Sequence, residues 1–225
     1  MGQSLLGVFL AVGLNVRIGG DVAGSRNMGG QGMMCMGVRV FHAACFAGKV
    51  RVLVGSRELF CGLDYGQVSD CGKVGAGFRN ISVISEDTGE ELMCETMPFF
   101  GGRRVTLALL NTMGCMILVP MEDCICGEVK GRACLRAANF SCGEGPFDLA
   151  LASGETIFPY LIQARVSSFI PALPGTYDFV VREAGRESFR EAETNFCLDA
   201  LPGQNYTICV LGTKGGEVPI SVKIL

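Results

Sequence analysis

One histidine and twelve cysteines carry most of the reactive side chains of this 225-residue sequence. His42 stands three residues before Cys45 in VRVFHAACFAGKVRVLV (Val38–Val54), the residue types of a base and its nucleophile. Cys124 and Cys126 form a Cys-Ile-Cys with Cys115, Cys134 and Cys142 nearby in sequence, enough sulfur for a four-thiolate metal site. Cys197 and Cys209 flank a turn at Leu201–Asn205. If Gly203 centres that turn they oppose each other on neighbouring strands, about 4.5 Å apart at Cα and within disulfide range.

Each arrangement has a plainer reading. His42 shares strand parity with Val38 and Val40, so it faces a core at the end of a strand and bonds a turn. Residues three apart on a strand face opposite ways, which separates His42 from Cys45. Cys-x-Cys is a poorer zinc pair than Cys-x2–4-Cys, so Cys124 and Cys126 stay open among disulfide, metal and inert thiol. Cys61, Cys71 and Cys94 lie in or beside strands and read as small buried hydrophobes. Gly212–Gly216 lacks the spacing of a phosphate loop. Glu86, Asp87, Glu90 and Glu91 crowd one hairpin as a solvated turn rather than an acid–base pair. No residue is therefore assigned as catalytic, cofactor-binding or metal-binding, and the expectation is a protein that is not an enzyme and needs no cofactor.

The elements that position these residues are strands. Short apolar runs are broken by Gly, Pro, Asn and Asp, with 32 glycines and no tryptophan. A hydrophobic fraction of 49% excludes a disordered chain, and a net charge of −3 leaves no footprint for nucleic acid. Ser4–Leu14 is apolar but too short to span a membrane. No Lys or Arg precedes it, so it reads as an extension or a degenerate signal segment, and residues 1–36 form a flexible Gly- and Met-rich lead-in.

The chain repeats itself at a shift of about 100 residues. FFGGRRVTLALLNT (Phe99–Thr112) aligns with ALPGQNYTICVLGT (Ala200–Thr213), placing Gly102 on Gly203 and Thr106 on Thr207. KVRVLV (Lys49–Val54) aligns with PFDLAL (Pro146–Leu151), VSDC (Val68–Cys71) with VSSF (Val166–Phe169), and VGAGF (Val74–Phe78) with LPGTY (Leu173–Tyr177). Strands within each repeat alternate: Val50, Val52 and Val54 against Arg51 and Leu53; Tyr177, Phe179 and Val181 against Asp178, Val180 and Arg182. Seven to eight such strands per repeat predict two tandem immunoglobulin-like antiparallel β-sandwiches, over 37–123 and 131–225, joined by a linker near Glu122–Gly131.

The motifs also carry a resemblance. Val38, Arg39, His42 and Ala43, then Tyr65, Gly66, Gln67 and Ser69, then Gly77 and Phe78 resemble the bacterial domain of unknown function numbered 4397. Leu173, Pro174, Gly175 and Tyr177 match its last motif again, so the chain looks like two tandem copies. The family's Ser-Pro-Asp-Ala-Pro turn is replaced by Ala44–Gly48, and the second repeat lacks the histidine. The resemblance implies a β-sandwich common in exported or envelope-associated proteins and no catalytic residues. With the cysteine count it points to a structural or interaction protein of a bacterial surface, envelope or spore coat rather than the cytoplasm, with a protein partner or self-association. The alternative is a carbohydrate- or protein-binding module using the sandwich end loops, with Tyr65, Phe99 and Tyr160 as the first aromatics to test. No nucleic acid partner and no transmembrane span is expected.

Overall fold

Alternating side chains build two separate cores in the computed structural model, which describes residues 35–123, 130–143, 145–186 and 192–225. The chain is all-β and forms two β-sandwiches in tandem. In the first, β1 (Cys35–His42), β4 (Gly72–Gly75), β7 (Arg104–Thr112) and β8 (Cys115–Glu122) form one sheet in the order β4-β1-β7-β8. Its partner sheet runs β3 (Arg57–Leu63), β2 (Val50–Val54), β5 (Gly77–Ser85) and β6 (Glu91–Phe99). Val38, Val40, Val52, Ile81, Val83 and Leu109 meet between them, shielded from water.

The second sandwich has the same strand order. β9 (Ala133–Asn139), β16 (Asn205–Leu211) and β17 (Ser221–Ile224) form one sheet, with the short β12 (Arg165–Val166) and β13 (Ile170–Ala172) sharing the far edge of β9. β11 (Thr156–Leu161), β10 (Phe147–Leu151), β14 (Gly175–Glu183) and β15 (Thr194–Ala200) form the other. Leu149, Phe179, Val181 and Ile208 fill its core, where the Phe179 and Phe196 rings stack at 5.3 Å.

Three expectations need correction. The sandwiches are not wholly antiparallel: β1 pairs with β7 and β9 with β16 in parallel. A parallel neighbour needs a long connection, and the intervening strands supply it. The match of VGAGF to LPGTY is one residue out of register. Gly77 opens β5 opposite Phe99, and Gly175 opens β14 opposite Ala200, so these two glycines are equivalent. A slip of one residue turns a strand over, which is why Phe78 is exposed while Tyr177 packs on the core. Finally, Cys197 and Cys209 are not opposed. The chain crosses from one sheet to the other between β15 and β16, leaving Cys197 exposed and Cys209 buried, both unbridged.

The two sandwiches bury a common face, and Met33–Leu225 forms one compact unit. Phe41, Ala43, Ala108, Leu110 and Met121 meet Ala138, Phe140, Cys209 and Leu211 in a third apolar cluster. The Phe41 and Phe140 rings lie 6.2 Å apart, and the alanines let the sheets approach. A disulfide joins Cys45 to Cys142 at one end of this interface. These two cysteines hold equivalent positions, each three residues past the residue that closes β1 or β9. Other contacts are reciprocal. The Tyr65 hydroxyl meets the backbone of Gly212, and Gln163 Nε2 donates to the carbonyl of Asn111, the counterpart of Gly212, at 3.3 Å. Like surfaces thus face each other as across a two-fold axis.

Candidate functional site

The β1–β2 turn settles the role of His42. Its imidazole is fully buried. Nε2 lies 2.9 Å from the Gly48 carbonyl, and the Ala44 backbone N–H donates to Nδ1 at 3.3 Å. Both ring nitrogens are therefore engaged, with the proton on Nε2. Burial pushes the pKa below its usual value, against opposing effects of the Gly48 bond and the Asp64 charge. Cys45 is bridged and holds no thiol, so the base–nucleophile pair does not exist. Asn139 does the same work in the second sandwich: its Nδ2 approaches the Gly145 carbonyl, and its Oδ1 accepts from the Ser141 backbone N–H at 3.0 Å. An amide carries a donor and an acceptor in the same span as a neutral imidazole, so the missing histidine needs no compensating site.

Cys124 and Cys126 lie outside the described residues. Cys134 is engaged in a disulfide. Among the described residues no group of three or more His, Cys, Asp or Glu is placed to hold a metal ion, and no helix is long and apolar enough to cross a membrane. Cys61, Cys71, Cys94, Cys115 and Cys197 are exposed free thiols, contrary to the expectation of buried packing for the first three.

Of the three aromatics singled out, two are unavailable. Phe99 is 3% exposed within the first core. Tyr65 is half-buried, its ring edge-on to His42 and its hydroxyl 3.5 Å from Cys45 Sγ. Tyr160 is different. It projects from β11 at 68% exposure with φ of 52°, a left-handed backbone. A register shift in the β10–β11 ladder sets this conformation. The first sandwich has the same irregularity between β2 and β3, and there the equivalent residue is Gly62, with φ of 66°.

Glycine adopts this conformation freely, whereas a side chain costs about 1–2 kcal/mol. The cost at Tyr160 is met by Asp148, a buried residue on β10. Its Oδ1 accepts the Tyr160 backbone N–H at 2.8 Å, and its Oδ2 accepts the Gly185 N–H at 3.2 Å. The Asp148 carboxylate thereby ties Tyr160 to the β14–β15 loop. That loop begins beside a charged group in which Glu183 pairs with Arg186 and Lys214, and Lys214 with Glu193 at 2.7 Å. An exposed aromatic ring can stack on the apolar face of a ligand. The sequence held a signal for this site: LFCGL (Leu59–Leu63) against IFPYL (Ile157–Leu161), with tyrosine where the other repeat has glycine.

A family model described as Domain of unknown function (DUF4397) matches residues 36–150, just over half of the sequence. The chain belongs to this family. The match covers the whole first sandwich of this DUF4397 protein and runs through β9 into β10. No curated protein matches the chain. Among solved structures it is similar to family 41 carbohydrate-binding modules from streptococcal virulence factors, described for α-glucan recognition, at 10% identity and a TM-score of 0.28, over 77% of this chain and 93% of that one. It is also similar to a family 26 carbohydrate-binding module from Eubacterium rectale in complex with maltoheptaose, at 6% identity and a TM-score of 0.24, over 85% and 96%.

Proposed function

We propose that this chain is a non-catalytic binding module that takes carbohydrate on the face of the second sandwich that presents Tyr160. The observation that carries the reading is the strained, exposed tyrosine at a position where the twin sandwich has glycine. Strain retained at an exposed side chain is a mark of function. The ring serves as the stacking platform for a sugar, and the ion-paired side chains of Glu183, Arg186 and Lys214 supply the hydrogen-bonding rim. We further propose that the second sandwich is a second copy of the family domain. Supporting this are the shared strand order, the equivalent bulges at Gly62 and Tyr160, and the interchange of His42 with Asn139.

The test is a glycan array probed with the wild-type protein, Tyr160→Ala and Tyr160→Gly. Binding by the wild type that both variants lose is the expected result. A blank array, or binding unchanged in Tyr160→Gly, overturns the carbohydrate reading.

A second reading follows from the thiols. Cys61, Cys71, Cys94, Cys115 and Cys197 are exposed on a protein whose Cys45–Cys142 pair is oxidised. In an oxidising compartment such thiols find partners on other chains, which suits a structural protein of a bacterial surface, envelope or spore coat. Disulfide-linked multimers on a non-reducing gel that collapse to monomer with reductant favour it, and a monomer in which these five exposed cysteines are all still thiols removes it.

A further inference from the structure

The interface between the sandwiches opens, at the end opposite the Cys45–Cys142 bridge, into a cleft of about 360 Å³. Among the described lining side chains, Arg39, Arg104 and Arg136 face one carboxylate, that of Asp123, in a chain whose net charge is −3. Two of these arginines are equivalent residues of the two sandwiches and are fixed in the same way. Arg39 on β1 donates from Nη2 to Thr106 Oγ1 on β7 at 2.9 Å. Arg136 on β9 donates from Nε to Thr207 Oγ1 on β16 at 2.8 Å. Asp123 steadies the first by accepting from Arg39 at 3.1 Å and from the Thr106 hydroxyl at 3.1 Å. The second donates to the Glu122 carbonyl at 3.1 Å and lies 4.4 Å above the Phe169 ring.

Such guanidinium groups are held by paired strands, not left to swing on loops. The Nε–H of Arg39 is buried with no acceptor among the described residues, a costly state for a charged donor. Arg104 stands exposed at the mouth, at the start of β7. Its neighbour Arg103 is taken up by Glu122 at 3.0 Å.

We infer that this cleft is a binding site for an oxyanion, a carboxylate or a phosphate, carried by a small organic ligand. The anion accepts from the pre-positioned guanidinium groups of Arg39 and Arg136 and is closed over by Arg104. Guanidinium forks match both oxyanions, and their immobility lowers the entropy lost on binding. A volume of about 360 Å³ admits one sugar-sized ring. The site lies apart from Tyr160 and stands whether or not that surface takes sugar.

The experiment is titration of the full chain with D-glucuronate and, separately, with inorganic phosphate at low ionic strength, followed by the arginine Nε–Hε resonances in NMR. Saturable shifts of the Arg39 and Arg136 signals are expected, weakening as salt is added. Arg104→Ala, which removes an exposed side chain and leaves the fold intact, weakens binding by about tenfold or more, and Arg104→Lys by less. Saturation by glucuronate alone identifies a carboxylate ligand, by phosphate alone a phosphate ligand, and by both an unselective oxyanion site. No saturable shift with either anion, or equal affinity in wild type and Arg104→Ala, overturns the inference.

Discussion

Two residues show how a duplicated fold lets one copy take on what the other does not need. Tyr160 holds a backbone conformation that Gly62 adopts without cost. Tyr160→Gly is therefore expected to stabilise the protein by up to about 1 kcal/mol while abolishing ligand binding. Thermal unfolding of the variant beside the array decides it, and a destabilised Tyr160→Gly would mean the ring packs rather than binds. His42 makes the converse point. Burial lowers its pKa in the folded protein, while the unfolded chain titrates near 6.5. The unfolded state then binds more protons, so the contribution of His42 is fully present above that value and lost as pH falls towards the folded pKa. His42→Asn copies the residue that closes β9. It is expected to fold and to flatten the dependence of Tm on pH between about 7 and 5. An unchanged slope would show that other groups set the acid response. The core parity of His42 was legible in VRVFH, because period two places it with Val38 and Val40. The conformation of Tyr160 was not, since a left-handed residue is set by the partner strand's register.

At the scale of elements, the half-buried strands were the readable ones. β2 alternates because one face meets the core and the other is more open to solvent, while β10 and β14 alternate in sequence although Asp148, Ala150, Val180 and Arg182 on their second faces are also buried. β9 buries all seven of its residues and β7 six in succession, since their second faces lie against the other sandwich. ACLRAAN and RVTLALLNT accordingly show no clean alternation, and nothing in either says which surface covers the far side. The same limit hid the Cys45–Cys142 bridge: pairing of equivalent cysteines follows from the docking of the two sheets, which no local pattern encodes. The bridge closes a sequence separation of 97 residues, and a loop of that size is restrained by about 2–4 kcal/mol. A Cys45→Ser/Cys142→Ser double variant is expected to lose that much in urea unfolding while keeping its far-ultraviolet β signal. A loss below about 0.5 kcal/mol would mean that the apolar interface alone holds the sandwiches.

For the whole molecule, the all-β class and the doubling of the sandwich followed from the repeat, but the fate of the cysteines did not. Cys61, Cys71 and Cys94 sit where a strand pattern puts small hydrophobes, yet all three are exposed. Alkylation of the native protein is expected to mark Cys61, Cys71, Cys94, Cys115 and Cys197 and to spare Cys209 until the chain unfolds. Cys209 is buried between the sandwiches, where loss of solvation raises its pKa. A hydrogen bond to Glu58 and its charge hold the Cys61 thiol up, and at Cys197 desolvation does so first, with Asp178 adding to it. These two should react more slowly at neutral pH than their exposure suggests. Mass analysis of peptides reads each site, and early labelling of Cys209 would show that the interface opens.

The bridge between Cys45 and Cys142 also decides how the protein answers a pull. Tension entering through β1 reaches Cys45 and passes directly across sulfur to Cys142. The stretch between them, which includes all of the first sandwich after β1, lies off the load path. Stretched out, that stretch would add roughly 330 Å of chain. The disulfide keeps this length in reserve, and a reductant rather than force is what releases it.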